Sequence, residues 1–68
     1  MGVSADKRRR YILDRVRLAG RVTVADVMRE FGVADMTVRR DLGSMASMGL
    51  IKKTYGGAVP AGAPGALR

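Results

Sequence analysis

The 68-residue chain contains no cysteine, no histidine and no tryptophan, and it has only two tyrosines and one phenylalanine. Without cysteine it has neither a disulfide framework nor a thiolate metal site. Without histidine it lacks the side chain that most often serves as a general acid or base. It has no nucleophile–base pair and no paired carboxylates at a catalytic spacing. We therefore expect no metal, no cofactor and no enzymatic activity.

Long apolar runs and acidic residues are also scarce. No apolar stretch approaches the roughly 20 residues that span a membrane, and an amphipathic pattern stands where a secretory signal would be apolar. A cytoplasmic protein is therefore expected. Six Asp and Glu oppose thirteen Lys and Arg, for a net charge of +7. This charge favours a polyanionic partner, nucleic acid before an anionic membrane surface. The low aromatic content argues against single-stranded RNA, which is usually bound on stacking platforms.

The apolar spacing predicts three helices, over about residues 5–19, 24–31 and 35–48. Ser4 or Asp6 starts the first helix, and Thr23 with Asp26 forms a capping box at the second. Glycines follow all three helices, as is common at helix ends. The short connection between the second and third helices predicts a helix-turn-helix over about 22–41. The expected buried residues of the first two helices are Ile12, Leu13, Val16, Ala19, Val24, Val27, Met28 and Phe31.

The pattern changes to strand-forming residues after Gly49. Residues 50–55 and 58–59 read as a hairpin that turns at Gly56-Gly57, with a further short strand near Arg21-Val22. The predicted fold is mainly α with a small β-hairpin, a winged helix-turn-helix over 5–60. Residues 1–4 would be an extension. The Pro/Gly/Ala-rich residues 61–68 would be a linker toward a further domain.

The third helix carries the main functional prediction. Val38, Leu42 and Met45 share its apolar side, so Arg40 lies near the centre of the opposite side. A guanidinium on such a face suits base reading in a DNA major groove. Arg39 lies at the edge, where it can contact a phosphate or form a structural salt bridge. Asp41 leans toward the core and is expected to orient an arginine or to cap a neighbouring element.

Further candidates surround this helix and the hairpin. Thr37 can contact DNA or bond locally to backbone, and Met36 can contact a thymine methyl or simply be exposed. Ser44 is either small because the DNA backbone passes close to it, or a tolerated position of low helix propensity. The basic run at the start of the first helix is either a phosphate-contacting segment or a solvated face. The full set of predicted DNA-binding residues is Thr23, Asp35, Met36, Thr37, Arg39, Arg40, Ser44, Lys52, Lys53, Tyr55 and Gly56, with candidate phosphate contacts at Lys7, Arg8, Arg9 and Arg10.

These motifs resemble the N-terminal DNA-binding domain of DeoR-type transcriptional regulators. The resemblance covers about residues 5–60 and is carried by Gly20–Val24, Phe31-Gly32-Val33, Met36–Leu42 and Gly56-Gly57-Ala58. It implies a repressor of sugar or nucleoside metabolism genes that binds a double-stranded DNA operator. It also implies a larger C-terminal domain that binds a phosphorylated sugar and drives oligomerisation. No residue of the present chain can be assigned to that effector.

Two positions depart from the family pattern. Ala34 stands where the family usually has a serine that caps the helix, and we expect Asp35 to take over the cap one residue later and shorten the helix start. Tyr55 stands where the family often has histidine, so a phosphate or sugar contact is retained without pH dependence. The alternative function is a winged-helix interaction module that binds protein or structured RNA through the same basic face.

Overall fold

The computed structural model describes residues 4–62. Its helices are α1 (Ala5–Ala19), α2 (Val24–Phe31) and α3 (Asp35–Ser47), and its strands are β1 (Val22–Thr23), β2 (Ile51–Thr54) and β3 (Gly57–Pro60). The strands form one antiparallel sheet in the order β1-β3-β2. The predicted winged helix-turn-helix, with its third short strand, is therefore confirmed.

The helix starts and ends follow local chemistry. The Ser4 side chain accepts a hydrogen bond from the Lys7 backbone amide, so Ser4, one of the two predicted starts, caps α1. Gly32 ends α2 at a φ of 64°, a left-handed conformation that glycine adopts at little cost. The two residues after it lead directly into α3, which makes the predicted tight connection. Most of the predicted linker, residues 63–68, lies outside the described residues.

One small core joins all the elements. It is contributed by every helix and by all three strands, and its buried residues are Ile12, Val16, Val22, Val24, Val27, Val38, Leu42, Met45, Ile51 and Ala58. Leu13, Met28 and Phe31 pack against it while partly exposed. The prediction that Ala19 is buried is wrong, because the last turn of α1 extends past the core and leaves this residue exposed.

The hairpin, here called the wing (residues 51–60), turns one residue earlier than predicted. Thr54 pairs with Gly57, so the two turn residues are Tyr55 and Gly56. Gly56 has a φ of 80°, which suits the second central position of a type II turn. Gly57 is the first residue of β3, where it pairs with Thr23 of β1. Leu50 was expected in the first strand of the hairpin, but it lies just before β2 and is exposed.

None of the helices within residues 4–62 is both long enough and apolar enough to cross a membrane. The same part of the chain holds no group of three or more carboxylates positioned to bind a metal ion.

Candidate nucleic-acid interface

Helix α3 presents a polar, largely open face on the side opposite the core. Val38 and Met45 are fully buried and Leu42 nearly so, which fixes the rotation of the helix about its axis. Arg40 is therefore held outward and exposed, and it forms no hydrogen bond or ion pair with any other residue in the described range 4–62. Met36, in the first turn, is 69% exposed. The outward face thus carries a guanidinium whose donors are available to a ligand.

Thr37 and Ser44 lie on the flanks of this face, and both are half-buried. The Thr37 backbone amide donates to the Ala34 carbonyl at 3.1 Å, and the Thr37 hydroxyl has no hydrogen-bond partner within residues 4–62. The side chains of Thr37 and Ser44 are small and project little from the helix surface beside Arg40.

The start of α3 differs from the prediction. Ala34 is the N-cap residue and supplies no side-chain hydrogen bond, as expected for alanine. The expectation that Asp35 takes over the cap is wrong, because α3 already begins at Asp35. The Asp35 carboxylate instead accepts a hydrogen bond from Nε of Arg39, four residues later, at 2.5 Å. Helical spacing brings residues i and i+4 together, so this pair could be identified from the sequence.

Arg39 is thus held by an ion pair on the surface of α3. The Arg39 and Asp35 side chains are 54% and 52% exposed. Asp35 raises the pKa of Arg39 above its ordinary value, first by accepting this hydrogen bond and second by its negative charge.

Asp41 faces the opposite way and binds an arginine, as predicted. Nε of Arg8, on α1, donates to its carboxylate at 2.6 Å, and the two side chains are only 13% and 7% exposed. This bond connects α1 to α3 across 33 residues of sequence. Because Arg8 points into the protein, we correct its assignment as a candidate phosphate contact and leave it out of the proposed interface.

The remaining cations of the basic run point in different directions around α1. Successive residues of a helix are rotated by about 100°, so the run cannot form one face. Lys7 and Arg10 are exposed. Arg9 is half-buried, with Nη1 3.9 Å from Asp6 and with an Nε atom that is buried without a hydrogen-bond partner within the described residues.

Thr23 is the N-cap residue of α2, and its polar groups bond to the first turn of that helix. Its hydroxyl oxygen accepts from the Asp26 backbone amide at 3.0 Å, and the Asp26 carboxylate accepts from the Thr23 amide at 3.3 Å. This is the predicted capping box. The side-chain and backbone hydrogen bonds from Thr23, followed by the charges of Arg29 and Arg15, lower the pKa of Asp26 below its ordinary value.

The wing presents further polar groups and is attached directly to α2. Lys52, Lys53 and Tyr55 are exposed, and Tyr55 at the turn is fully so. The carbonyl of Gly56 accepts a hydrogen bond from the Val24 amide, the first of α2, at 2.8 Å. The wing turn and the start of the helix-turn-helix are therefore joined through the backbone.

The structure thus has the architecture and the exposed helix face of a winged helix-turn-helix domain. The model of the DeoR-like helix-turn-helix domain family matches residues 8–61. The chain therefore belongs to the DeoR-like helix-turn-helix family.

Two curated relatives are similar over most of this chain. It is 40% identical over 55 residues to the lactose phosphotransferase system repressor of Lactococcus lactis subsp. lactis. It is 38% identical over 53 residues to the putative aga operon transcriptional repressor of Escherichia coli O157:H7. Each match covers 78% of this chain but only 22% and 20% of the respective relative. The chain thus spans about a fifth of the length of these relatives. No solved structure matches it.

Proposed function

We propose that this domain binds double-stranded DNA in a sequence-specific manner, as the operator-reading part of a transcriptional repressor. The observation that carries this proposal is the outward face of α3, where Arg40 is exposed and makes no bond to any other described residue. A DNA major groove admits an α-helix, and an arginine can donate two hydrogen bonds to O6 and N7 of a guanine. We assign that contact to Arg40.

The first turn of α3 and the wing supply the surrounding contacts. The exposed Met36 would contact a thymine methyl group, with Thr37 and Ser44 beside it. Lys52 and Lys53 with the turn at Tyr55-Gly56 would hold flanking phosphates. Thr23 would lie beside a flanking phosphate at the start of α2, where its hydroxyl also forms the capping box. Lys7, Arg9 and Arg10 are additional candidates for phosphate contacts at the edge of the site.

The relatives support a role in sugar metabolism. One of them is named as a repressor of the lactose phosphotransferase system, and the other as a putative repressor of the aga operon. We infer that this domain serves a repressor of the same kind. A phosphorylated sugar and self-association would act through a part of the protein beyond this chain.

Selection of bound sequences from a random pool of duplexes tests the proposal, at low salt to retain weak complexes. The chain should enrich one short motif. Arg40→Ala should reduce affinity for that motif by about 1–3 kcal/mol and relax the preference at one base pair. Arg17→Ala is the matched control, because it removes the same charge from an exposed position on α1 outside the proposed interface.

Competition separates this function from its alternative. An unlabelled copy of the selected duplex should displace the labelled duplex from the domain far better than structured RNA or heparin does. A chain that enriches no duplex motif, or that prefers structured RNA, would contradict operator reading. Unchanged affinity and preference in a folded Arg40→Ala variant would remove Arg40 from the base contacts.

A further inference from the structure

The ion pair between Asp35 and Arg39 lies at the exposed start of α3, on the helix that the proposed function places in the groove. Asp35 accepts from Nε of Arg39, and no other hydrogen bond of this guanidinium exists within residues 4–62. Both side chains are about half exposed. The arginine is therefore held at one edge while its other donors remain available.

The geometry of a guanidinium determines what those remaining donors can bind. The group is planar, with one N–H on Nε and two on each terminal nitrogen. Because Asp35 occupies the Nε edge, the two terminal nitrogens are left as a pair at the end of the side chain. Such a pair matches two neighbouring acceptors, as in a guanine edge or in two oxygens of a phosphate.

The charge of the pair favours the base over the phosphate. Asp35 and Arg39 together carry no net charge, so they would release few counterions from DNA. A carboxylate placed beside a phosphate is also repelled, whereas Arg40, which has no acidic partner in the described part of the chain, meets no such opposition. A pair without net charge gains binding energy mainly from well-aligned hydrogen bonds, and the edge of a base offers acceptors in a fixed arrangement.

We propose that Arg39 reads a guanine in the major groove and that Asp35 is the positioning residue that orients it. This inference rests on the proposed function and deepens it, because it assigns a second base contact beside that of Arg40. Asp35 restricts the guanidinium before binding, so less side-chain entropy is lost when the complex forms. Asp35 thus contributes to specificity without touching DNA.

A variant that removes both charges tests the assignment without changing the net charge. Asp35→Ala with Arg39→Ala should lose about tenfold in discrimination at one G·C pair of the selected motif. Its affinity for unrelated duplexes, and the salt dependence of that affinity, should stay as in the unchanged chain. Circular dichroism and urea unfolding would establish that α3 is retained.

A phosphate contact would give the opposite pattern. In that case the double variant would weaken binding to every duplex alike, with no loss of preference at any one base pair. That result, or unchanged discrimination at every position, would overturn the assignment of Arg39 while leaving the proposed function intact. If the unchanged chain discriminates between no duplexes, both proposals fail together.

Asp35→Asn isolates the positioning role. It should reduce discrimination at the same G·C pair by about two- to tenfold, while raising affinity for unrelated duplexes because one negative charge is removed. Asp6→Asn is the matched control, because Asp6 is also a first-turn acid near an arginine, but on α1. It should leave the base preference unchanged. Equal effects of the two substitutions on discrimination would overturn the role of Asp35.

Discussion

At the scale of single residues, Gly57 and Gly43 have opposite surroundings. A Cβ atom on Gly57 would lie 2.2 Å from the Val22 carbonyl oxygen, a backbone atom that cannot move without separating β1 from β3. Gly43 has nothing within 4 Å of such an atom and an ordinary helical φ. We expect Gly57→Ala to destabilise the domain by about 1–3 kcal/mol. Gly43→Ala should stabilise it by about 0.5–1 kcal/mol, because alanine favours the helix.

Urea unfolding followed by circular dichroism measures both changes. A Gly57→Ala variant as stable as the unchanged chain would contradict the close approach of the two strands. Residues of this kind are hard to predict from sequence. The periodicity of α3 identified its buried residues and the outward position of Arg40, but the need for glycine at position 57 depends on a strand over 30 residues away.

At the scale of secondary-structure elements, the Arg8–Asp41 ion pair connects α1 to α3. Removing one member of a buried ion pair typically costs about 3–5 kcal/mol, so Asp41→Ala should unfold much of a domain this small. Replacing both charges by apolar residues, as in Arg8→Met with Asp41→Leu, should recover most of the loss. Thermal unfolding of the single and double variants tests this. A double variant no more stable than Asp41→Ala would argue against the ion pair as the cause.

The elements themselves were largely predictable, because each has a local signal. The capping box at Thr23 and the glycine after α2 marked helix ends within one residue of those observed. The wing turn was predicted one residue too late, because the sequence alone does not distinguish a turn at Gly56-Gly57 from one at Tyr55-Gly56. The pairing of Thr54 with Gly57 in the sheet selects the second of these turns. The partner of Asp41 could not be identified, since ten arginines were available and the contact is remote in sequence.

At the scale of the whole molecule, the excess positive charge governs how binding responds to salt. The net charge of +7 includes exposed cations on α3 and on the wing, whereas Arg8 is held inside. If about five phosphates are neutralised, log K should fall against log salt with a slope of about −4 to −5. Titrations of a labelled duplex at several salt concentrations measure this slope. A slope near zero would contradict a phosphate-contacting interface.

The class of partner was predictable from composition and from the motif around Arg40, because charge and helical periodicity need no tertiary information. The arrangement of the site was not. Two of the predicted contacts, Arg39 and Thr23, prove to be engaged with acids of their own helices, and Arg8 with an acid of another. Such engagements depend on rotamers and on packing, which a single sequence does not specify.

The hydrogen bond from the Val24 amide to the Gly56 carbonyl has a consequence for motion. The first amides of a helix normally have no partner and exchange bonds freely with water. Here the first amide of α2 donates a hydrogen bond to the turn of the wing. A displacement of the wing turn therefore also loosens the first turn of α2, so the two fluctuate as a single unit and approach a ligand with their spacing already set.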